Sequence, residues 1–249
     1  MKLRLINPNT SESMTEKMGL TAQEIAASGT EIISSCPDTG PESIESHFEE
    51  AVSVVGILDE IRKGEMDQTD AYILACFGDP GLYAAREVTT APVIGIAEAA
   101  FHLATLISSR FSIVTTLGRT KIIAEHLLHR YGFNEHCRKV RAAEIPVLDL
   151  EKDDGGKTCE LIISECKRAR DEDEVGAIVL GCGGMADLTP VISDEIGIPV
   201  IEGVTAAVKL AESLVSLNLA TSKHGDWAFP PKKCLKGYLS ELSFSREIE

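Results

Sequence analysis

The chain carries no surplus of positive charge, no apolar run of membrane length and no paired-cysteine spacing, and each absence removes a class of function. Its 24 Lys and Arg face 39 Asp and Glu, a formal net charge of −15. Nucleic acids and anionic membranes bind through a basic face, so neither is an expected partner. The longest apolar stretches are strand-sized or belong to amphipathic helices, too short for a bilayer span. Lys2 leads straight into a strand-like run, with no signal-peptide core or cleavage site ahead of it. The 7 cysteines are odd in number and scattered, unlike a secreted disulfide framework. Together these features point to a reducing cytoplasm. No Gly-x-Gly-x-x-Gly follows the first strand, and Gly78-Asp-Pro-Gly81 is not a Walker loop, which leaves nucleotide binding without support. His126, His129 and the pair His136-Cys137 match no zinc spacing, and the first two fit one face of a helix, so no metal is expected.

What is present is an alternation of short Ile/Val/Leu-rich runs with helical stretches along a folded chain of 249 residues, 44% hydrophobic and 25% charged. Strands are predicted at Lys2–Asn7, Thr30–Ser35, Asp70–Cys76, Val93–Ile96, Ser112–Thr116, Lys139–Ile145, Ala177–Cys182 and Val200–Gly203. Helices are predicted over 11–27, 42–64, 97–108, 118–131, 157–172, 186–195 and 204–217. Strands apolar throughout belong to a sheet covered on both faces, and βα alternation implies parallel, right-handed crossovers. Asp153-Asp-Gly-Gly156 reads as a surface turn, and the tail after Gly225 as a loop packed back on the body.

The chain also repeats itself. Ala71-Tyr-Ile-Leu-Ala-Cys76-Phe-Gly is echoed by Ala177-Ile-Val-Leu-Gly-Cys182-Gly-Gly, an offset of 106 residues. Pro92-Val-Ile-Gly-Ile-Ala-Glu-Ala-Ala100 is echoed by Pro199-Val-Ile-Glu-Gly-Val-Thr-Ala-Ala207, an offset of 107, and Asn7 corresponds to Thr115 at 108. A steady offset indicates a duplicated α/β unit. The expected fold is therefore α/β, with two similar doubly wound parallel-sheet domains related by a pseudo-twofold axis and an active site in the cleft between them. Residues 1–97 with 207–249 form the first domain and 98–206 the second.

Ligands of open parallel sheets bind beyond the carboxyl ends of the strands, so Cys76 and Cys182 should enter one cleft from opposite sides. A lone strand-end cysteine is ordinarily a small core residue; a matched pair in two diverged halves is not so easily dismissed. Helix N-termini favour the thiolate, which predicts lowered thiol pKa values, and the following glycines let backbone N–H groups approach developing negative charge. Asn7 and Asn9 leave carboxamides near the cleft, with Thr10 or Ser11 capping the next helix. Pro41 to Phe48 offers either a pocket wall or a solvated helix start. Arg119 is the one cation close in sequence to the segments around the cleft, which favours a neutral, amide-rich ligand over a dianion.

The strings Ile6-Asn-Pro-Asn-Thr10, Ala75-Cys-Phe-Gly-Asp-Pro-Gly81, Phe111-Ser-Ile-Val-Thr-Thr116, Gly181-Cys-Gly-Gly-Met185 and Thr221-Ser-Lys-His-Gly225 resemble the hydantoin racemase branch of the aspartate/glutamate racemase superfamily. The resemblance runs from Leu5 to about Lys233. It implies a cofactor-independent racemase acting on a small molecule, allantoin or another 5-substituted hydantoin, with Cys76 and Cys182 as the acid/base pair at C5. It also implies ligand contacts at Asn9, Ile44, Phe77, Val114, Thr115 and Gly183, and a homo-oligomer is expected. Two other readings stay open: a maleate isomerase-like enzyme, which also uses two cysteines, and a non-catalytic binding protein on the same fold.

Overall fold

The apolar runs assemble into two four-stranded parallel sheets in a computed structural model that describes residues 1–152 and 155–243. In chain order the first half is β1 (Lys2–Ile6), α1 (Glu12–Ile25), β2 (Glu31–Ser35), α2 (His47–Met66), β3 (Ala71–Leu74), α3 (Leu82–Val88) and β4 (Val93–Gly95). After α4 (Ile96–Ile107) come β5 (Phe111–Thr115), α5 (Lys121–Tyr131), β6 (Cys137–Ala142), α6 (Lys157–Asp173), β7 (Ala177–Leu180), α7 (Thr189–Ile196), β8 (Val200–Ile201) and α8 (Gly203–Ser216). The sheets run β2-β1-β3-β4 and β6-β5-β7-β8, the same order four strands apart, so the duplication read in the sequence is a duplication of topology. Registers agree as well: Ile6 pairs Leu74 as Val114 pairs Leu180. The fold is the expected pair of parallel-sheet α/β domains.

Side-chain chemistry sets the local details. Ser11 caps α1, its hydroxyl accepting from Met14 N–H at 3.2 Å. Ser46 caps α2, which therefore starts at His47; the expected start at 42 is wrong because 37–46 form a loop. The short helix α3 was missed, since Pro80 and Gly81 read as punctuation while Gly81 takes the left-handed φ of +66° at its N-cap. The sixth strand ends at Ala142, not Ile145, and the helix expected over 186–195 begins as a 3₁₀ turn at Gly183. The expected turn at Asp153-Asp-Gly-Gly156 lies half outside the described residues; Gly155 and Gly156 take positive φ. Thr221 N–H meets the Thr90 carbonyl at 2.8 Å, and the Arg86 guanidinium lies 4.8 Å from the Trp227 ring, which holds the tail against the body.

One core cluster spans both halves, with Leu3, Leu5 and Ile73 of the first sheet and Phe111, Ile113 and Val179 of the second. Between them lie α4 and α8, rich in buried alanine (Ala97, Ala99, Ala100, Ala104; Ala206, Ala207, Ala211). Small residues let these helices approach closely: a Cβ on Gly203 would stand 2.4 Å from the Ile96 carbonyl oxygen. Helix α4 leaves the first sheet and packs on β7 and β8, whereas α8 leaves the second and packs on β3 and β4. Each has a buried acid at its N-terminus, which suits the positive end of the dipole. Asp79 accepts from Ala97 and Glu98 N–H, both at 3.0 Å, and Glu202 from Val204 and Thr205 N–H. No helix among the described residues is long and apolar enough to cross a membrane.

Candidate active site

Strand order explains where the cysteines meet. In each sheet the first and third strands are neighbours, and the connections from them leave on opposite sides, so a crevice opens beyond their carboxyl ends. Asn7 and Asn9 follow β1 and Cys76 follows β3; Thr115 and Thr116 end or follow β5, and Cys182 follows β7. All of them line one cavity of about 50 Å³ between the two sheets, room for roughly three to five waters.

The two sulfurs sit in equivalent turns. Cys76 accepts a hydrogen bond from the N–H of Gly78 and Cys182 one from Gly184, each two residues on. Such bonds favour a thiolate. Burial outweighs them: desolvation pushes both thiols up, Cys182 to about 11 and Cys76 further. The expectation of lowered values is thus corrected. Helix termini contribute less than assumed, because α3 begins only at Leu82 and a short 3₁₀ turn follows Cys182. The pair is also unequal. The Lys17 ammonium favours ionisation of Cys182 and Glu45 opposes it, whereas Cys182, Glu50 and Asp79 all oppose that of Cys76. Cys182 is the readier thiolate and Cys76 the readier thiol.

Of the other expected contacts, Asn9, Ile44, Phe77, Thr115 and Gly183 line the cavity. Asn7 Nδ2 bonds Asn9 Oδ1 at 2.7 Å and Thr15 Oγ1 at 2.9 Å, which fixes the loop. Asn9 Oδ1 also accepts from Ser11 N–H, so its Nδ2, 3.7 Å from the Met14 sulfur, is the donor left for a ligand carbonyl. Thr115 Oγ1 donates to the Gly181 carbonyl at 3.0 Å, tying β5 to the turn before Cys182. Val114 does not belong with them. Its side chain is fully buried with Ile178 and Leu180, its carbonyl accepts from Gly181 N–H, and it does not line the cavity. Ile44 comes from the 37–46 loop, which reaches across to the second half where Glu45 Oε1 accepts from Val147 N–H at 2.7 Å. Gly183 is tightly enclosed, a Cβ there meeting the Met18 sulfur at 2.7 Å and the Ala75 carbonyl at 2.9 Å.

Glu50 was not anticipated. It lines the cavity from the first turn of α2, and its Oε2 lies 3.1 Å from His47 Nδ1. Burial raises its carboxyl despite the nearby His47, Arg130 and His126. The available signal was a His and a Glu three apart at a helix start, which places them on one face. Among the described lining residues there is no Lys or Arg.

The model of the Asp/Glu/hydantoin racemase family matches residues 3–211. A hydantoin racemase of Rhizobium meliloti is 48% identical over 238 residues, covering 96% of this chain and 98% of the relative. A hydantoin racemase of Pseudomonas sp. (strain NS671) is 45% identical over 242 residues, 97% of both chains. The solved allantoin racemase from Klebsiella pneumoniae superposes with a TM-score of 0.95 at 56% identity, covering 98% of this chain and 99% of that one.

Proposed function

The chain belongs to the Asp/Glu/hydantoin racemase family and is a racemase, and from that premise we propose that it interconverts (R)- and (S)-allantoin, with other 5-substituted hydantoins as the broader substrate class. The observation that carries this reading is the single cavity lined by both strand-end cysteines, each sulfur held by the N–H two residues on. Racemisation needs a base on each face of one carbon, and a duplicated half-site supplies them.

In the proposed reaction one cysteine as thiolate removes the C5 proton and the other as thiol returns a proton to the opposite face. Charge passes to the ring carbonyl as an enolate, toward which Asn9 Nδ2 is the available donor. A reacting geometry puts each sulfur about 3.5 Å from C5. The absence of Lys and Arg from the described lining, together with the presence of Glu50, supports a neutral imide or ureide over a dianion. We further propose that residues 1–97 with 207–249 and residues 98–206 form the two domains, supported by the crossing of α4 and α8. The apolar stripe Phe48, Val52 and Val55 exposed on α2 supports a homo-oligomer.

Optical rotation of (R)- and (S)-allantoin, run beside 5-benzylhydantoin, tests the substrate. Decay of allantoin rotation is expected. Decay for benzylhydantoin alone would reassign the substrate, and no decay for either would end the proposal.

A further inference from the structure

Glu50 lines the cavity of the thiols and holds His47 on its outer side, and the reaction above has no use for either. A two-base racemisation creates a need for them. When Cys182 begins as thiolate, the C5–H bond breaks as S–H forms on Cys182, and S–H of Cys76 breaks as a new C5–H bond forms. One proton has moved from Cys76 to Cys182. The protein is then poised only for the reverse reaction, and a proton must reach Cys76 while another leaves Cys182.

We infer that Glu50 and His47 form the relay that resets Cys76 between turnovers, with solvent water as the outside proton source and sink. The inference rests on the two-cysteine reading above. Glu50 shares the cavity wall with Cys76, and its Oε1 lies directly over Gly78, the residue whose N–H holds the Cys76 sulfur. Only glycine leaves that room: a Cβ at 78 would stand 2.3 Å from Oε1. The other carboxyl oxygen lies 3.1 Å from His47 Nδ1, on a side chain 66% exposed and stacked 6.1 Å from His126. The carboxyl therefore faces the cavity at one end and a solvent-exposed imidazole at the other, whose two ring nitrogens can take up a proton on one side and release one on the other. His126 and Arg130 of α5 also face this carboxyl, and Asp79 lies on the Cys76 side. Burial raises the Glu50 carboxyl above its ordinary value, which brings it closer to the thiol that it would serve.

The steps balance. Glu50 O–H breaks as Cys76 S–H forms; His47 protonates the carboxylate and is itself reprotonated by water. The Cys182 proton passes to cavity water. For the opposite enantiomer each step runs backward.

The test uses initial rates from each enantiomer of whichever hydantoin the wild type racemises, for the wild type, Glu50→Gln, Glu50→Asp and Gly78→Ala. The last keeps the carboxyl but displaces it, and the flexible Glu50 end yields without disturbing the fold. Resetting occurs after product release, so it enters kcat and not kcat/KM. In Glu50→Gln and Gly78→Ala, kcat should fall about tenfold or more beyond any fall in kcat/KM. Added imidazole should restore it, and Glu50→Asp should retain most of it. Parallel losses of kcat and kcat/KM, an unchanged kcat, or a loss that imidazole does not relieve would overturn the relay while leaving the racemase reading intact. A wild type inactive on every hydantoin would overturn that reading and the relay with it.

Discussion

Replacing Lys17 by Met should move the whole pH profile of the enzyme to higher pH. Lys17 Nζ lies 3.1 Å from the Gly184 carbonyl oxygen and 2.9 Å from Asp187 Oδ1, and Gly184 N–H bonds the Cys182 sulfur. Those two contacts put ammonium and sulfur on the order of 7 Å apart, where an effective dielectric of about 20 gives about 2 kcal/mol. Partial exposure of the ammonium, 26%, and its pairing with Asp187 reduce this to about 1 kcal/mol, roughly a fivefold change in thiolate population. The sign is fixed by the chemistry. In the proposed reaction thiolate is the base, the Cys182 thiol is pushed up to about 11, and kcat/KM reports ionisation in the free enzyme. For the wild type kcat/KM should therefore climb about tenfold per pH unit below that value, in the direction that begins with Cys182. Lys17→Met should run parallel and about fivefold lower, and Lys17→Arg should overlay the wild type. Polarimetry across pH 7 to 10 measures both curves. Superimposed profiles for Lys17→Met and the wild type would refute the electrostatic assignment, and a flat wild-type profile would refute the thiolate as base.

Further outcomes follow from the same geometry. Cys76→Ser and Cys182→Ser should each lower racemisation by about 10² to 10⁴ and still bind substrate in calorimetry. One of them should retain deuterium exchange at C5 of a single enantiomer by NMR, and racemisation by either at the wild-type rate would sink the two-base reading. Gly203→Ala should cost about 1–3 kcal/mol in urea unfolding, since its Cβ meets the Ile96 backbone at the crossing of α4 and α8; an unchanged midpoint would mean that the helices part freely. Arg141→Met should cost about 3–5 kcal/mol, because the buried guanidinium holds Asp173 at 2.6 Å, Glu172 at 2.7 Å and Glu165 at 3.1 Å. Although burial alone would raise Asp173, Arg141 and Ser112 hold it below its ordinary value. Its contribution is therefore present above the unfolded carboxylate pKa of about 3.9 and lost as pH falls toward the lowered folded one. Acid unfolding should be steeper in the wild type than in Arg141→Met, and equal slopes would contradict the pairing.

Both cysteines, Asn9 and the doubled sheet were legible in the chain because repetition and strand-end punctuation are local patterns. An Ala-Tyr-Ile-Leu run followed two residues later by Cys76, and the Ala-Ile-Val-Leu run before Cys182, place each thiol by counting alone. The chain could not reveal the sign of the thiol shift, because desolvation depends on what the other half puts over the sulfur. Val114 shows the same limit: it adjoins Thr115 in sequence, but strand alternation turns its side chain into the core of its own sheet. Nor does any local pattern reveal that Ile44 reaches the cavity, since that depends on Glu45 bridging 102 residues to Val147. Glu50 reads as one more acid on an amphipathic helix until folding lays its carboxyl over Gly78. Duplication, topology and the placing of one cysteine at each equivalent strand end were determined by the sequence. Tertiary structure decided the ionisation of that pair and the groups around it, because burial and through-space charge arise only when the two halves close on one another.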